Sequence, residues 1–201
     1  IMTIVENIGC SRKYIKDVAL KVTDGSHNPP IKVGETKFKM LSAANITEIG
    51  LDYDAGYRYI TEEDFIKENK RTQISKNDIL LSIVGTIGKA TIINKNNLNL
   101  TVQRSVAVIK VNQDIIIPKY FLYYIKSKTF QNILQHNAHG NSQKGVYLDQ
   151  LKNIQIPVPP LSEQQKIVSR IEVLEKQIAE AQAIIDNSKQ QKQEILDKYL
   201  K

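Results

Sequence analysis

The chain has 201 residues, 41% of them hydrophobic, and a formal net charge of +7 from 28 Lys and Arg against 21 Asp and Glu. That is enough for one ordinary domain with an appendage, or two small ones, and no apolar run approaches the ~20 residues of a membrane span. A single cysteine, Cys10, excludes an internal disulfide and fits a reducing, cytoplasmic setting, and residues 1–9 lack the pattern of a signal peptide. The charge is unevenly spread. Residues 158–201 carry seven basic and seven acidic side chains, so the whole excess lies on residues 1–157, with 21 basic against 14 acidic. That is where a polyanion would bind.

Residues 14–22 mix apolar and charged positions and read as a short helix or strand. They end in turn chemistry, Thr23-Asp24-Gly25-Ser26-His27-Asn28-Pro29-Pro30. Lys37-Phe38-Lys39-Met40-Leu41 alternates as an edge strand, and Ser42-Ala43-Ala44-Asn45 leads out of it as a polar loop. Thr61-Glu62-Glu63-Asp64 opens a helix, with acidic residues where the helix dipole favours them. Asn77-Asp78 turns the chain into the β-rich run 79–84. Gly85-Thr86-Ile87-Gly88-Lys89 loops back into 90–93, and the three pieces read as a β-hairpin. Residues 100–111 form the strongest strand pattern. Pro118 opens a helical stretch to about Gln135 with a break inside it, 136–145 reads as a loop, and 146–156 closes the domain.

The last stretch sets the organisation. Pro157, Pro159 and Pro160 cannot donate backbone hydrogen bonds and favour an extended chain. Ser162 then caps a helix in a capping box with Gln165, and no Pro or Gly interrupts it through Lys201. Ile167, Ile171, Leu174, Ile178, Ala181 and Ile185 recur at alternating steps of four and three. Ser188 and Lys192 interrupt this seam, and Ile195 and Tyr199 resume it. A 3.5-residue repeat buries against another helix, and the first domain already has residues enough for its own core.

Candidate chemistry is sparse. Gly85–Lys89 lacks the spacing and the Ser or Thr of a phosphate-binding loop. His136 and His139 lack the further ligands of a zinc shell. Neither a nucleophile with its base nor a carboxylate pair stands out, so catalytic, metal and cofactor residues are all expected to be absent. The polar loops instead offer the side chains that contact phosphates and base edges. The expected DNA contacts are Ser26, His27, Lys39, Asn45, Thr86, Lys89, Arg104, Ser142, Gln143 and Lys144.

Together these segments resemble one repeat of the specificity subunit of type I restriction-modification systems. The matching stretches are the one ending in Asp24-Gly25-Ser26-His27, the one holding Asp78-Ile79-Leu80 and Gly85–Lys89, Gln103, Pro118-Lys119-Tyr120-Phe121-Leu122, and above all residues 156–171 with Leu161-Ser162-Glu163-Gln164-Gln165-Lys166-Ile167-Val168. The resemblance implies a target recognition domain over 1–157, then a proline hinge and long dimerisation or spacer helix over 158–201. The implied fold is α/β (α+β) around a twisted, mostly antiparallel sheet. It also implies double-stranded DNA as ligand and modification (methyltransferase) subunits as partners, with restriction subunits joining through the complex. Such a subunit carries two repeats where this chain carries one, so the chain is either a half-length subunit pairing as a homodimer or a piece of a longer one. The rival readings are a helix-mediated assembly or decoy protein that never touches DNA, and an enzyme fused to an oligomerisation helix.

Overall fold

The computed structural model describes residues 10–96, 98–139 and 145–200, and the chain divides into two compact units at the Gln164–Gln165 bond. In the first unit, residues 14–22 are both of the expected things in turn. Strand β1 (Ser11–Tyr14) gives way to one helical turn, α1 (Ile15–Val18), and then to β2 (Ala19–Asp24). Fully buried Ile15 and Val18 hold the turn in place.

Among the described residues the strands pair into three sheets. The largest runs β2, β8 (Val106–Val111), β5 (Ile79–Ser82), β6 (Ala90–Ile92), every pair antiparallel. The second runs β4 (Arg58–Tyr59), β3 (Lys39–Leu41), β7 (Leu100–Val102), with β3 parallel to β7. The third pairs β1 with β9 (Gln155–Val158). The expected hairpin forms, Ile79 facing Ile92 and Leu81 facing Ala90. Helices α2 (Glu62–Thr72), α3 (Pro118–Lys126), α4 (Lys128–His139) and α5 (Leu148–Lys152) complete the unit. Thr61 caps α2 as expected, its hydroxyl accepting the Asp64 amide at 3.1 Å. The mixed α/β, mostly antiparallel class is borne out. One core cluster draws Leu41, Leu100 and Val102 from the second sheet and Leu80, Val106 and Val108 from the first.

Several expectations change. Residues 100–111 are not one strand: the chain leaves the second sheet after Val102 and enters the first at Val106. The strand at 39–41 is central, not an edge, because β4 and β7 flank it. Helix α4 runs through His136 to His139, so the expected loop starts later. The long helix, α6 (Leu161–Tyr199), begins one residue before Ser162. Pro160, which has no N–H to leave orphaned, supplies the carbonyl for the Glu163 and Gln164 amides at 2.9 and 3.0 Å. The capping box is absent, since the Gln165 side chain bonds Ser169 at 3.4 Å instead. Its neighbour Gln164 bonds within the first unit. The fully buried Gln164 carboxamide accepts the Ile117 amide at 2.7 Å and donates to the Ile115 and Pro159 carbonyls at 3.0 and 2.8 Å.

Candidate nucleic-acid interface

The break between β7 and β8 is where the loops gather. Residues 103–105 leave their own strand pairing and offer backbone groups to three other segments. The Ser26 amide donates to the Val102 carbonyl and the Arg104 amide to the Ser26 carbonyl, each at 2.9 Å. The Gln103 amide donates to Leu41 at 2.8 Å, and the Ala43 amide to Ser105 Oγ at 3.1 Å. The Ile83 amide takes the Ser105 carbonyl at 2.9 Å, while Val84 bridges to Gly145. The turn after β2, the turn after β3, the hairpin loop and the stretch reaching Gly145 are thereby wired side by side. Gly25 shows how tight the insertion is: a Cβ there would lie 1.8 Å from the Val102 carbonyl oxygen. Only glycine lets the 24–27 segment thread the break.

The predicted contacts divide against this frame. His27, Thr86 and Arg104 are exposed and Lys89 is partly so, all on the wired segments. Ser26 is buried and acts through its backbone. Asn45 is a correction. It is fully buried in a short 3-10 turn (Ala43–Asn45), where its Oδ1 accepts the Ser42 amide at 2.9 Å and its Nδ2 donates to the Asp52 and Gly56 carbonyls at 2.9 and 2.8 Å. A carboxamide so engaged has nothing left for a base edge. Lys39 is at the far end of its strand from the break, its Nζ over the rings of Tyr57 and Tyr53 at 4.8 and 5.3 Å. A 3.2 Å hydrogen bond between the Tyr57 and Tyr59 hydroxyls lowers the first and pushes the second up to about 12. Ser142, Gln143 and Lys144 lie outside the described residues.

The glycine loop is fixed by conformation and by a neighbour. Gly85 and Gly88 have φ of 80° and 96°, the left-handed region that favours glycine. The Gln131 side-chain Nε2 donates to the Gly88 carbonyl at 2.9 Å, and a Cβ on Gly88 would sit 2.2 Å from Gln131 Oε1. Thr86, Gly88, Lys89, Lys126 and Gln131 line a cleft of about 330 Å³ with Glu48 at its edge. Ser82, at the base of the loop, receives the Lys89 amide on its Oγ at 2.9 Å.

Sequence reasoning missed the charge pairs beneath these loops. Asp24 is nearly buried and joins Arg71 of α2 to His27, the latter at 2.7 Å. Asp78, in the stretch Asp78-Ile79-Leu80, accepts from Lys110 and from the Ser75 amide at 2.8 Å, and is part of the scaffold. Nothing local in the sequence marks either pair, since their partners lie 47 and 32 residues away. Among the described residues, no group of three His, Cys, Asp or Glu converges where a metal ion would sit.

In the second unit most apolar side chains of α6 are open, with Val168 near its start buried. Leu174, Ile178, Ile185, Ile195 and Tyr199 are 48–68% exposed, and Ala181 is exposed as well. Ile167 and Ile171, nearer the start of the helix, are partly buried. Of the residues interrupting the seam, Ser188 turns its hydroxyl back to the Ile184 carbonyl at 2.9 Å. Side-chain pairs four residues apart, such as Gln182–Asp186 and Gln190–Glu194, support the helix along its length. No helix among the described residues is long and apolar enough to cross a membrane.

Comparison with known proteins agrees with this geometry. The family model described as "Type I restriction modification DNA specificity domain" matches residues 14–195. The type I restriction enzyme EcoBI specificity subunit of Escherichia coli is 35% identical over 125 residues, covering 59% of this chain and 26% of that protein. The HsdS subunit from Thermoanaerobacter tengcongensis superposes with a TM-score of 0.60 at 17% identity, over 88% of this chain and 40% of that one. A chain from a structure of complex assembly and conformational transition in the type I R-M system gives 0.66 at 20% identity, over 94% and 45%. The chain thus spans about a quarter of the E. coli relative's length and under half of either solved chain.

Proposed function

Because this chain belongs to the type I restriction modification DNA specificity family, we propose that its first unit reads one half of a two-part site in double-stranded DNA. Modification subunits that bind it then methylate that site, and restriction subunits join through the complex. The observation that carries the reading is the wiring of residues 103–105. It collects His27, Arg104, Thr86 and Lys89 onto loops braced by a rigid sheet, as residues that read a nucleic acid must be held. The +7 excess on residues 1–157 supports the same ligand. The chain would supply recognition only, and methyl transfer and cleavage would belong to its partners. Its place of work would be the cytoplasm, with the DNA.

The open seam of α6 supports pairing with a second helix, and we assign that partner to a second copy of this chain. Two identical recognition units related by a dyad read inverted copies of one half-site, about one helical turn apart on one side of the duplex. The test is duplex binding by fluorescence anisotropy between about 50 and 200 mM salt. Log affinity should fall linearly with log salt, by roughly −0.9 per phosphate contact. Replacing Lys89 and Arg104 together with Ala should make that slope shallower by about 2. An unchanged slope with an intact fold would remove both from the interface, and no binding at any salt would refute the reading.

A further inference from the structure

We propose that Arg71 is a further DNA-contact residue and that Asp24 is the positioning residue aiming both Arg71 and His27 at the duplex. The inference rests on the DNA-binding reading above and extends it to an element, α2, that supplies none of the contacts named so far.

The Asp24 side chain is 9% exposed, yet both its partners reach into solvent, Arg71 at 51% and His27 at 55%. One carboxylate oxygen, Oδ1, accepts from Arg71 Nη2, and the other, Oδ2, meets His27 Nε2 at 2.7 Å. Arg71 Nε also donates to Thr23 Oγ1 at 3.2 Å. A nearly buried carboxylate must be paired. Here it is paired with two half-exposed side chains, each of which keeps an outward portion. The guanidinium carries five N–H donors in a fixed fork, and these bonds engage two of its nitrogens along one edge. An Arg already pinned loses less rotamer entropy on gripping a phosphate or a guanine edge than a free one.

Position supplies the rest. Asp24 immediately precedes Gly25 and Ser26, the residues threaded into the break. Ser26 in turn holds the Arg104 amide on its carbonyl at 2.9 Å. The 24–27 segment therefore gathers Arg71 and His27 through one carboxylate and Arg104 through one backbone bond. A tie that merely fastened α2 to β2 would not need both partners half in water.

The experiment uses the full chain and a labelled duplex of about 20 base pairs, two helical turns, titrated between about 50 and 200 mM salt. Arg71→Gln should weaken binding and make the log–log slope shallower by about 0.9. Asp24→Asn separates positioning from simple attraction, because it removes a negative charge. Simple attraction makes that variant bind more tightly. Positioning makes it bind at least about fivefold more weakly, in the same direction as Arg71→Gln. If the unmodified chain does not bind DNA, the DNA-binding reading falls and takes this inference with it. If it binds while Arg71→Gln keeps the full slope, or Asp24→Asn binds more tightly, this inference alone is overturned. Should Asp24→Asn fail to fold, Arg71→Lys carries the test. It keeps the charge but loses the fork, so binding should weaken at an unchanged slope, and unaltered binding would overturn the proposal.

Discussion

Replacing Asn45 separates scaffold from interface most cleanly. Its carboxamide accepts from the Ser42 amide and hydroxyl at 2.9 and 3.3 Å and donates to the Asp52 and Gly56 carbonyls. These bonds tie the turn after β3 to the surface loop carrying Tyr53 and Tyr57. Asn45→Ala leaves one amide and two carbonyls to find water. At about 1 kcal/mol for each bond lost, and with the loop able to let water in, the cost is about 2–3 kcal/mol. For a chain of this size that lowers Tm by roughly 4–12 °C. Asn45→Asp should be at least as damaging, because a carboxylate would face two carbonyl oxygens with no proton to give. Calorimetry measures the first effect, and anisotropy at low temperature measures the duplex salt slope of the folded protein, which should be unchanged. A normal Tm with a shallower slope would show that Asn45 touches DNA and does not hold these two loops together.

Gly88→Ala should cost about 2–4 kcal/mol, from its φ of 96° and the contact with Gln131. In a Gln131→Ala background the same change should cost less, and equal costs in chemical denaturation would leave backbone strain as the whole cause. Tyr120 donates to the Pro157 carbonyl at 3.1 Å, and burial raises its phenol above the ordinary value of 10.0. Loss of that hydrogen bond should make Tyr120→Phe the less stable protein at neutral pH. Because the unfolded phenol ionises before the folded one, the Tyr protein loses stability as pH rises past about 10 and the gap should close. Denaturation midpoints at pH 7 and 10.5 test this, and a constant gap would contradict it. Changing Ile171, Leu174 and Ile178 to Asp should give monomers by light scattering, with the first unit still folded and its duplex binding weakened by loss of the second site. If the unmodified chain is itself monomeric at tens of micromolar, self-pairing fails.

What was legible in the sequence follows the range of the interactions. The hairpin at 79–92, the Thr61 cap, the Pro118 helix start and the long final helix are decided within a few residues, and all are present. The break at 103–105 was not legible. Its strand pattern is continuous, and what splits it is a segment inserted from some 80 residues earlier, admitted because Gly25 has no Cβ. The edge assignment for β3 failed for the same reason, since a parallel neighbour 60 residues away covers it. Polar loops looked alike in sequence. Folding separates His27 and Arg104, which remain open, from Asn45, whose polar groups the protein itself consumes. Arg71 sits in the last turn of α2, where a basic residue is ordinary helix chemistry. Its ties to Asp24 and Thr23 give it a direction.

Under the proposed function this chain reads DNA sequence and does more than attract DNA by charge. Selection from a random duplex library at physiological salt, using the full chain, tests it most directly. One short motif should be enriched, as an inverted pair for a dimer, and the enrichment should be lost in the Lys89 and Arg104 double variant. A pool that stays random through successive rounds, while the protein still binds and releases DNA with salt, would contradict it.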